Sequence, residues 1–489
     1  MIRLIKNELA KILKKKSFYI VMLVTLAFII GFNIIMKNLG NADYNRYYGD
    51  IDEQINVVEK ELKQLNPLNE EDKETYVDYK ASLETYKLIK KYGINSWQFE
   101  IVNTEVNPYL RELALYDTME QKDEKAYQEK LKEYNGIIER LDNNDWRSFV
   151  QEDLDDAKQQ LEEQNKLKET AKNEEQLLSI NKMIRYLEVQ KQVQEWRLEK
   201  NISYEVGYYN NLLDTYYNAS INVIDYEAGG GNSESQLMKQ DYYDSLERAN
   251  KAKYDIENGT KIDEENNTRG MLINFFSNYE IFIVIMIVMI AGTIVSEEFN
   301  KGTIKLLLIR PYKRTTILTA KFITCIIMLA IIIITMILMQ FIVGGIVFGF
   351  ESLQIPVVVY NFDTSSIQEI GIANYVLMQT LGKLPIYVLL MTLAFTLSTL
   401  FNNSAVAITL TLLGYMSSST INIIGLQLDL DWIRYFVTPN WDLTQYYFGG
   451  FPIYEGTTPI FSTIINIIYF VIMLIPTYIV FKKRNIKNI

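Results

Sequence analysis

The chain has no histidine and a single cysteine, Cys325, among its 489 residues. Without histidine there can be no Ser-His-Asp or Cys-His nucleophile system, and no His- or Cys-based zinc site. One cysteine excludes a disulfide framework within the chain; Cys325 lies in an apolar run and reads as a small lipid- or helix-facing residue. No Gly-x-x-x-x-Gly-Lys-Ser/Thr sequence occurs, and Leu381-Gly-Lys-Leu384 lacks both the upstream glycine and the hydroxyl residue, so no P-loop nucleotide site is expected. Proline is also scarce. Only Pro67 and Pro108 fall within 41–270, which leaves room there for long helices.

The mean hydropathy of −0.03 conceals two populations. Residues 41–270 hold 49 acidic and 30 basic residues, a net charge of −19. The remainder holds 11 acidic and 19 basic residues, a net charge of +8. A strongly acidic insert therefore interrupts a basic, apolar frame. Such an insert does not suit nucleic acid, whose phosphates would repel it. The carboxylates are so numerous that their closeness in sequence identifies no catalytic pair.

The frame contains six stretches long enough to cross a bilayer, at about 17–36, 276–295, 322–347, 372–400, 404–424 and 459–481. The first is longer than the apolar core of a secretory signal and no clear cleavage site follows it, so a retained anchor is expected. Basic clusters precede span one (Arg3, Lys6, Lys11, Lys14, Lys15, Lys16), separate spans two and three (Lys301, Lys305, Arg310, Lys313, Arg314, Lys321) and follow span six (Lys482, Lys483, Arg484, Lys487). With six spans all three clusters lie on one side, which the positive-inside rule makes the cytoplasm. Both termini are then cytoplasmic, residues 38–273 extracellular, and the loops at about 348–371 and 425–458 outside. The expected fold class is an all-α membrane protein. It comprises residues 1–37 as an amphipathic helix and span one, 38–273 as a large, mainly α-helical extracellular domain, and 274–489 as the remaining spans.

In Met1–Lys16, Ile2, Ile5, Leu9, Ile12 and Leu13 fall at helical spacing with lysines on the other face. This pattern predicts an amphipathic helix lying on the inner leaflet, or a basic flank that sets topology. In the insert, Asn69 followed by Glu70, Glu71 and Asp72 reads as a helix cap with an acidic first turn. Leu154, Leu161, Ile180, Ile184, Leu187 and Val193 among many charges predict a helical hairpin or coiled-coil stalk over 151–200. Gly229-Gly230-Gly231 and Asn258-Gly259 mark breaks. Clustered tyrosines (Tyr44, Tyr47, Tyr48, Tyr204, Tyr208, Tyr209, Tyr216, Tyr217, Tyr242, Tyr243) fit either a helical core with hydroxyls at its edge or a contact surface for a peptide. The core is the stronger reading.

Span two runs into Ser296-Glu-Glu-Phe-Asn-Lys-Gly-Thr-Ile-Lys-Leu-Leu-Leu-Ile-Arg-Pro311. Two carboxylates at the end of a membrane helix are followed by a Lys-Gly-Thr step and a short apolar helix, Ile304–Ile309. Such a helix can act as a lever if a partner grips it. The glutamates can cap its N-terminal dipole or pair with basic groups of that partner.

On these residues the chain resembles the permease subunits of ABC-2 type ATP-binding-cassette exporters. There a Glu-Glu…Gly-Thr segment after span two leads into a cytoplasmic coupling helix. The matching positions are Glu297, Glu298, Phe299, Gly302, Thr303 and Leu306–Leu308, with Arg310-Pro311 as the exit, and the resemblance makes about 297–310 the ATPase-coupling segment, Leu307 included. An amphipathic N-terminal helix and an aromatic-proline stretch before the last span, Tyr435-Phe-Val-Thr-Pro439-Asn-Trp441, agree with the family. The resemblance covers about 1–37 and 274–489 and not the insert, which is unusually large for the family. It implies P-loop ATPase subunits as partners, with ATP and Mg bound on them and no cofactor in this chain. It also implies a second permease copy or a sister permease, contact with membrane lipids, and no catalysis by this chain itself. Export of lipids, glycans, drugs, ions or antimicrobial peptides is implied. The large outer domain and the Lys- and Asn-rich, Gram-positive-type composition point weakly toward antimicrobial peptides and resistance.

A polar group in lipid tends to face a cavity or another helix. Gln340, Gln379, Lys383 and Asn422, with Thr392, Thr396, Ser398, Thr409 and Thr411, are the candidates for a translocation path. Lys383 beside Pro385 is the sharpest of these, the alternative being a lysine that snorkels to an interface. Ser417–Ser419 reads as a close-packing run. The competing function is a secretion-system or receptor-like scaffold with a large outer domain and no dedicated ATPase.

Overall fold

The computed structural model describes residues 1–40, 50–205, 207–229, 235–259, 266–303 and 312–484. The protein is an all-α membrane protein. Six helices are long and apolar enough to span a bilayer: Lys16–Asn38, Phe275–Asn300, Arg314–Phe348, Ile372–Phe401, Ser404–Gln427 and Pro459–Lys483. Among the described residues the only sheet is a hairpin between spans three and four, in which β1 (Val357–Asn361) pairs antiparallel with β2 (Ser366–Ile370).

By its internal packing the chain divides into two compact units. One comprises Met1–Gly40, Asn232–Glu247 and Glu264–Ile489; the other comprises Asn41–Gly231 and Arg248–Asp263. The first therefore takes in two pieces of the expected insert, 232–247 and 264–273. Physical ties explain this. Arg269 donates to the carbonyls of Ile355 and Pro356 (3.1 and 2.7 Å), and Thr268 to that of Gly349 (2.5 Å). Tyr243 stacks on Phe451 with ring centroids 4.5 Å apart.

In the bundle unit, spans two and four are central, with 67% and 61% of their apolar windows buried, against 22%, 17% and 17% for spans one, five and six. Tyr279, Ile283 and Ile287 of span two meet Cys325, Met328 and Ile332 of span three and Tyr387, Met391 and Phe395 of span four in one core. Cys325 is thus helix-facing. The exposed rows on the outer spans, such as Ile20, Leu23 and Val24, or Ile464, Ile468 and Ile472, form the surface left for lipid. Of the serine run only Ser418 is buried.

The helix Ile2–Leu13 does not simply lie on a membrane surface. Leu4 and Ile12 are buried, and Leu4 packs with Ile317 and Ala320 of span three. Its apolar face meets protein. Span three starts at Arg314, eight residues before its apolar run, because that extra turn and more is covered by this helix.

The second unit consists, among its described residues, of helices joined by turns and short loops, with no strand. Its helices include Ile51–Leu62, Lys73–Tyr92, Asn107–Tyr116, Glu124–Asp142, Trp146–Glu169, Glu174–Lys200 and Tyr208–Ala228. Short polar side chains start several of them: Asp50, Asp123, Asp145 and Asn173 each accept a backbone N–H of the first turn. Asn69 is not the cap expected of it. The helix begins three residues later with Asp72 as N-cap, and the Asn69 side chain accepts from Glu71 N–H in the preceding turn. The 151–200 stretch is a helical hairpin, turning at Thr170–Asn173, with Leu154, Ile180, Ile184, Leu187 and Val193 buried and Leu161 half-buried. Tyr204 and Tyr216 behave as core rings: Tyr204 lies under the Arg197 guanidinium at 4.5 Å with its hydroxyl donating to Asp153, and Tyr216 packs edge-on to Trp196. Tyr44, Tyr47 and Tyr48, with Gly230 and Gly231, lie outside the described residues. Helices end at Ala228, before Gly229, and at Asn258, before Gly259.

Candidate functional site

The residues after span two form an ionic cluster with the start of the chain. Span two is helical to Thr293, steps at Ile294 and Val295, and resumes as one turn, Ser296–Asn300. Gly302 follows with φ of +67°, a left-handed conformation in which a side chain would be strained. This lets the chain turn back so that the Thr303 hydroxyl donates to the Glu298 carboxylate.

Glu298 Oε1 accepts from Lys11 Nζ at 2.7 Å and Lys321 Nζ at 3.4 Å. Lys321 also donates to Glu8 Oε2 (2.7 Å) and to the Ile294 carbonyl (3.0 Å), and it is 1% exposed. Lys11 bridges Glu298 and Glu8, the latter at 2.8 Å. Burial tends to lower the Lys11 ammonium's pKa, but the Glu298 and Glu8 carboxylates outweigh it and hold the value above the usual lysine range. One residue out, Glu297 pairs with Lys15 at 2.6 Å and more loosely with Lys301 at 3.4 Å. A buried charge survives only when paired and fully hydrogen-bonded. Here each charge has at least one partner, and together they fasten the N-terminal helix, the end of span two and the start of span three.

Phe299 faces the other way. It packs edge-on to Phe481 at 6.4 Å, and the Arg484 guanidinium sits 5.3 Å above its ring. Arg484 donates to the Thr399 and Leu400 carbonyls and to Asn402 Oδ1, closing the C-terminus of span four.

The expected coupling residues are thus partly engaged within the chain: Glu297, Glu298, Phe299, Gly302 and Thr303 all belong to this corner. Leu306, Leu307 and Arg310, with the expected short helix, lie outside the described residues. Lys321 is not an exposed topogenic charge, since Glu8 and Glu298 draw it into the bundle.

The four expected path residues are not brought together in one hydrogen-bond network. Gln340 makes a reciprocal amide pair with Asn33, both bonds 3.0 Å, and Asn33 also donates to the Tyr279 hydroxyl at 3.2 Å. Asn422, on span five, accepts from Thr438 of the following loop at 2.8 Å, and Gln379 is half-buried on span four. Lys383 does not snorkel. Its ammonium is held by Glu280 of span two at 2.9 Å and Asp442 at 2.8 Å, while the Tyr415 hydroxyl donates to Glu280 at 3.0 Å. Span four comes this close to Asp442 because Gly382 leaves room: a Cβ there would meet Thr444 at 2.6 Å.

Glu8, Asn33, Glu280 and Asp442 were not singled out from sequence. Asn33 and Glu280 had a readable signal, a polar residue within an apolar helix; Glu8, in a charged amphipathic segment, and Asp442, in the loop between spans five and six, had no such signal. Among the described residues, no group of three or more acidic or sulfur-bearing side chains is placed to hold a metal ion.

Residues 245–487 match the family described as "Protein of unknown function (DUF2705)". The uncharacterized protein YhcI of Bacillus subtilis (strain 168) is 31% identical over 212 residues, which are 43% of this chain and 67% of YhcI. The chain belongs to the same family as YhcI. A second protein from that bacterium, the uncharacterized membrane protein YdbK, is 28% identical to this chain over 215 residues, covering 44% of this chain and 82% of YdbK. The DUF2705 match takes in spans two to six and leaves the first 244 residues outside it. No solved structure matches the chain.

Proposed function

We propose that this chain is the membrane-spanning permease subunit of an ATP-driven exporter. A separate P-loop ATPase hydrolyses ATP, and this chain converts that work into export of a substrate such as an antimicrobial peptide, a drug or a lipid. In this reading the termini and the 301–313 loop face the cytoplasm and the insert faces outside, an orientation that the three basic clusters support.

The observation that carries this reading is the position of Glu298. A partner pushing on the residues beyond Gly302 acts on the end of span two. Through Glu298 the same push reaches Lys321 in span three and Lys11 in the N-terminal helix. Such a corner is a stiff transmission from a cytoplasmic loop to three membrane-associated helices, which is what a coupling segment needs. The six-span architecture and the Glu-Glu…Gly-Thr segment support the same reading.

The test is co-purification of the tagged full chain from its native host in mild detergent. A P-loop ATPase should accompany the wild type with ATPase activity. It should be lost or uncoupled in Leu306→Asp/Leu307→Asp, whose melting should match that of the wild type. Well-folded wild type that brings down no ATPase sinks the proposal and favours the scaffold or receptor reading.

A further inference from the structure

A cavity of about 420 Å³ lies against the ionic corner, between the N-terminal helix and spans one and two. Its volume is within the ordinary range for small-molecule sites. Its floor is apolar: Ile12, Phe18, Val21, Met286, Met289 and Ile290. Its rim is charged, with Lys11, Lys15 and Lys301 facing Glu8, Glu297 and Glu298. A greasy interior with an ionic mouth at the end of membrane helices has the amphipathic profile of a lipid.

The charge count chooses the lipid. Lys321 stands behind the rim and shares Glu8 and Glu298 with Lys11. The corner therefore holds four lysines, Lys11, Lys15, Lys301 and Lys321, against three carboxylates. One positive charge is left over. Lys301 is the least committed: its side chain is 67% exposed and its ion pair with Glu297 is 3.4 Å long. Arg3, Lys6, Lys14 and Lys16 around the same helix are exposed and add to the field.

We infer that this cavity binds one anionic glycerophospholipid, with an acyl chain on the Phe18–Met286–Met289 floor and the phosphodiester at Lys15 and Lys301. A headgroup of net charge −1 neutralises the surplus cation, whereas a zwitterionic headgroup leaves it. The Ser17 hydroxyl, which also lines the cavity, is a donor suited to a glycerol oxygen, whereas the Thr293 hydroxyl donates to the Met289 carbonyl at 2.8 Å. The inference stands on the cavity and on membrane residence, not on the exporter reading.

The full chain is reconstituted in phosphatidylcholine nanodiscs carrying a tracer of dioleoylphosphatidylglycerol, and lipid retained per chain is counted by native mass spectrometry after release into detergent. The wild type should retain one phosphatidylglycerol in preference to phosphatidylcholine. Lys15→Gln/Lys301→Gln should weaken that retention at least about tenfold. Met289→Trp, which fills the floor without touching charge, should displace either lipid. A photoreactive group on the acyl chain of phosphatidylglycerol should label wild-type peptides containing Phe18 or Met289, a readout that needs no variant to fold. Equal retention of the two lipids by wild type, labelling only elsewhere, or retention unchanged in both well-folded variants overturns the inference.

Discussion

Glu8 and Lys321 are 313 residues apart in the chain, yet Glu8 Oε2 lies 2.7 Å from Lys321 Nζ and the lysine is buried. The contact makes the first helix part of the bundle, and its energetics are lopsided. Assembling such a pair gains little over apolar packing, whereas stripping one partner strands the other.

Lys321→Met should therefore destabilise the protein by about 3–5 kcal/mol, since Glu8 and Glu298 both lose a buried cation. Glu8→Gln combined with Lys321→Gln should recover much of that loss, with Lys11 still serving Glu298. SDS titration in mixed micelles reads both. A single variant costing no more than about 1 kcal/mol, the value of a surface pair, would show the corner to be solvated.

Lys383 faces two carboxylates, Glu280 and Asp442, and its loss should be the costliest change in its group. We expect Lys383→Met to destabilise more than Glu280→Gln. Glu280→Gln should in turn exceed Tyr415→Phe, which deletes one hydrogen bond worth about 1 kcal/mol. The order, measured by the same titration, is the prediction; equal effects at the three positions contradict it.

The insert should tighten on mild acidification. Burial, with Glu152 nearby, lifts the Asp153 pKa even though Tyr204 donates to it; burial with Asp153 and Glu152 lifts that of Glu105. A carboxyl raised in the folded state holds a proton that the unfolded chain has released. Its cost is absent below the ordinary carboxylate value and is fully present above the raised one. Protection of the insert in the full chain, corrected for intrinsic exchange, should rise from about pH 7 to about pH 5. Asp142 and Asp225, held low, lose their stabilising contribution only in more acidic solution. Asp153→Asn should flatten the profile; an unaltered slope would place its origin elsewhere.

Arg484 satisfies the last carbonyls of span four and covers Phe299. Arg484→Ala should speed amide exchange at the junction of spans four and five. Arg484→Lys should restore it only in part, because a lysine lacks the planar fork that reaches several acceptors at once. Full rescue by lysine would reduce the role to charge alone.

Most of the fold was legible because lipid is an unforgiving solvent. About 20 apolar residues per span is a signal carried by composition, so all six spans lie where they were expected, with bounds within about five residues except at the start of span three, which begins eight residues early. The 151–200 hairpin was readable for the related reason that Leu154 and Leu161, and then Ile180, Ile184 and Leu187, recur at helical spacing. Pairings between distant residues were not. Nothing local in Lys321 distinguishes it from Lys313 or Arg314; burial comes from Glu8, a residue on the apolar side of a helix whose sequence reads as a plain lysine-rich flank. Lys383 was noticed as polar in lipid, but its partners Glu280 and Asp442 lie 103 and 59 residues away, and only packing reveals that a suspected snorkel is a buried ion pair. The Asn69 cap failed through a short-range competition: its side chain closed a turn on Glu71, and the helix started at the next suitable residue.

The reciprocal amide pair of Asn33 and Gln340 works as a key between spans one and three. A slide of one helix past the other by a single turn, about 5.4 Å, would break both bonds and strip the buried Gln340 amide of its Asn33 partner, while Asn33 would keep its bond to the Ile29 carbonyl of its own helix. Rotation about either axis would do the same. Of the motions available to a six-helix bundle, a slip between spans one and three is therefore penalised, and opening along seams without such a pair costs less.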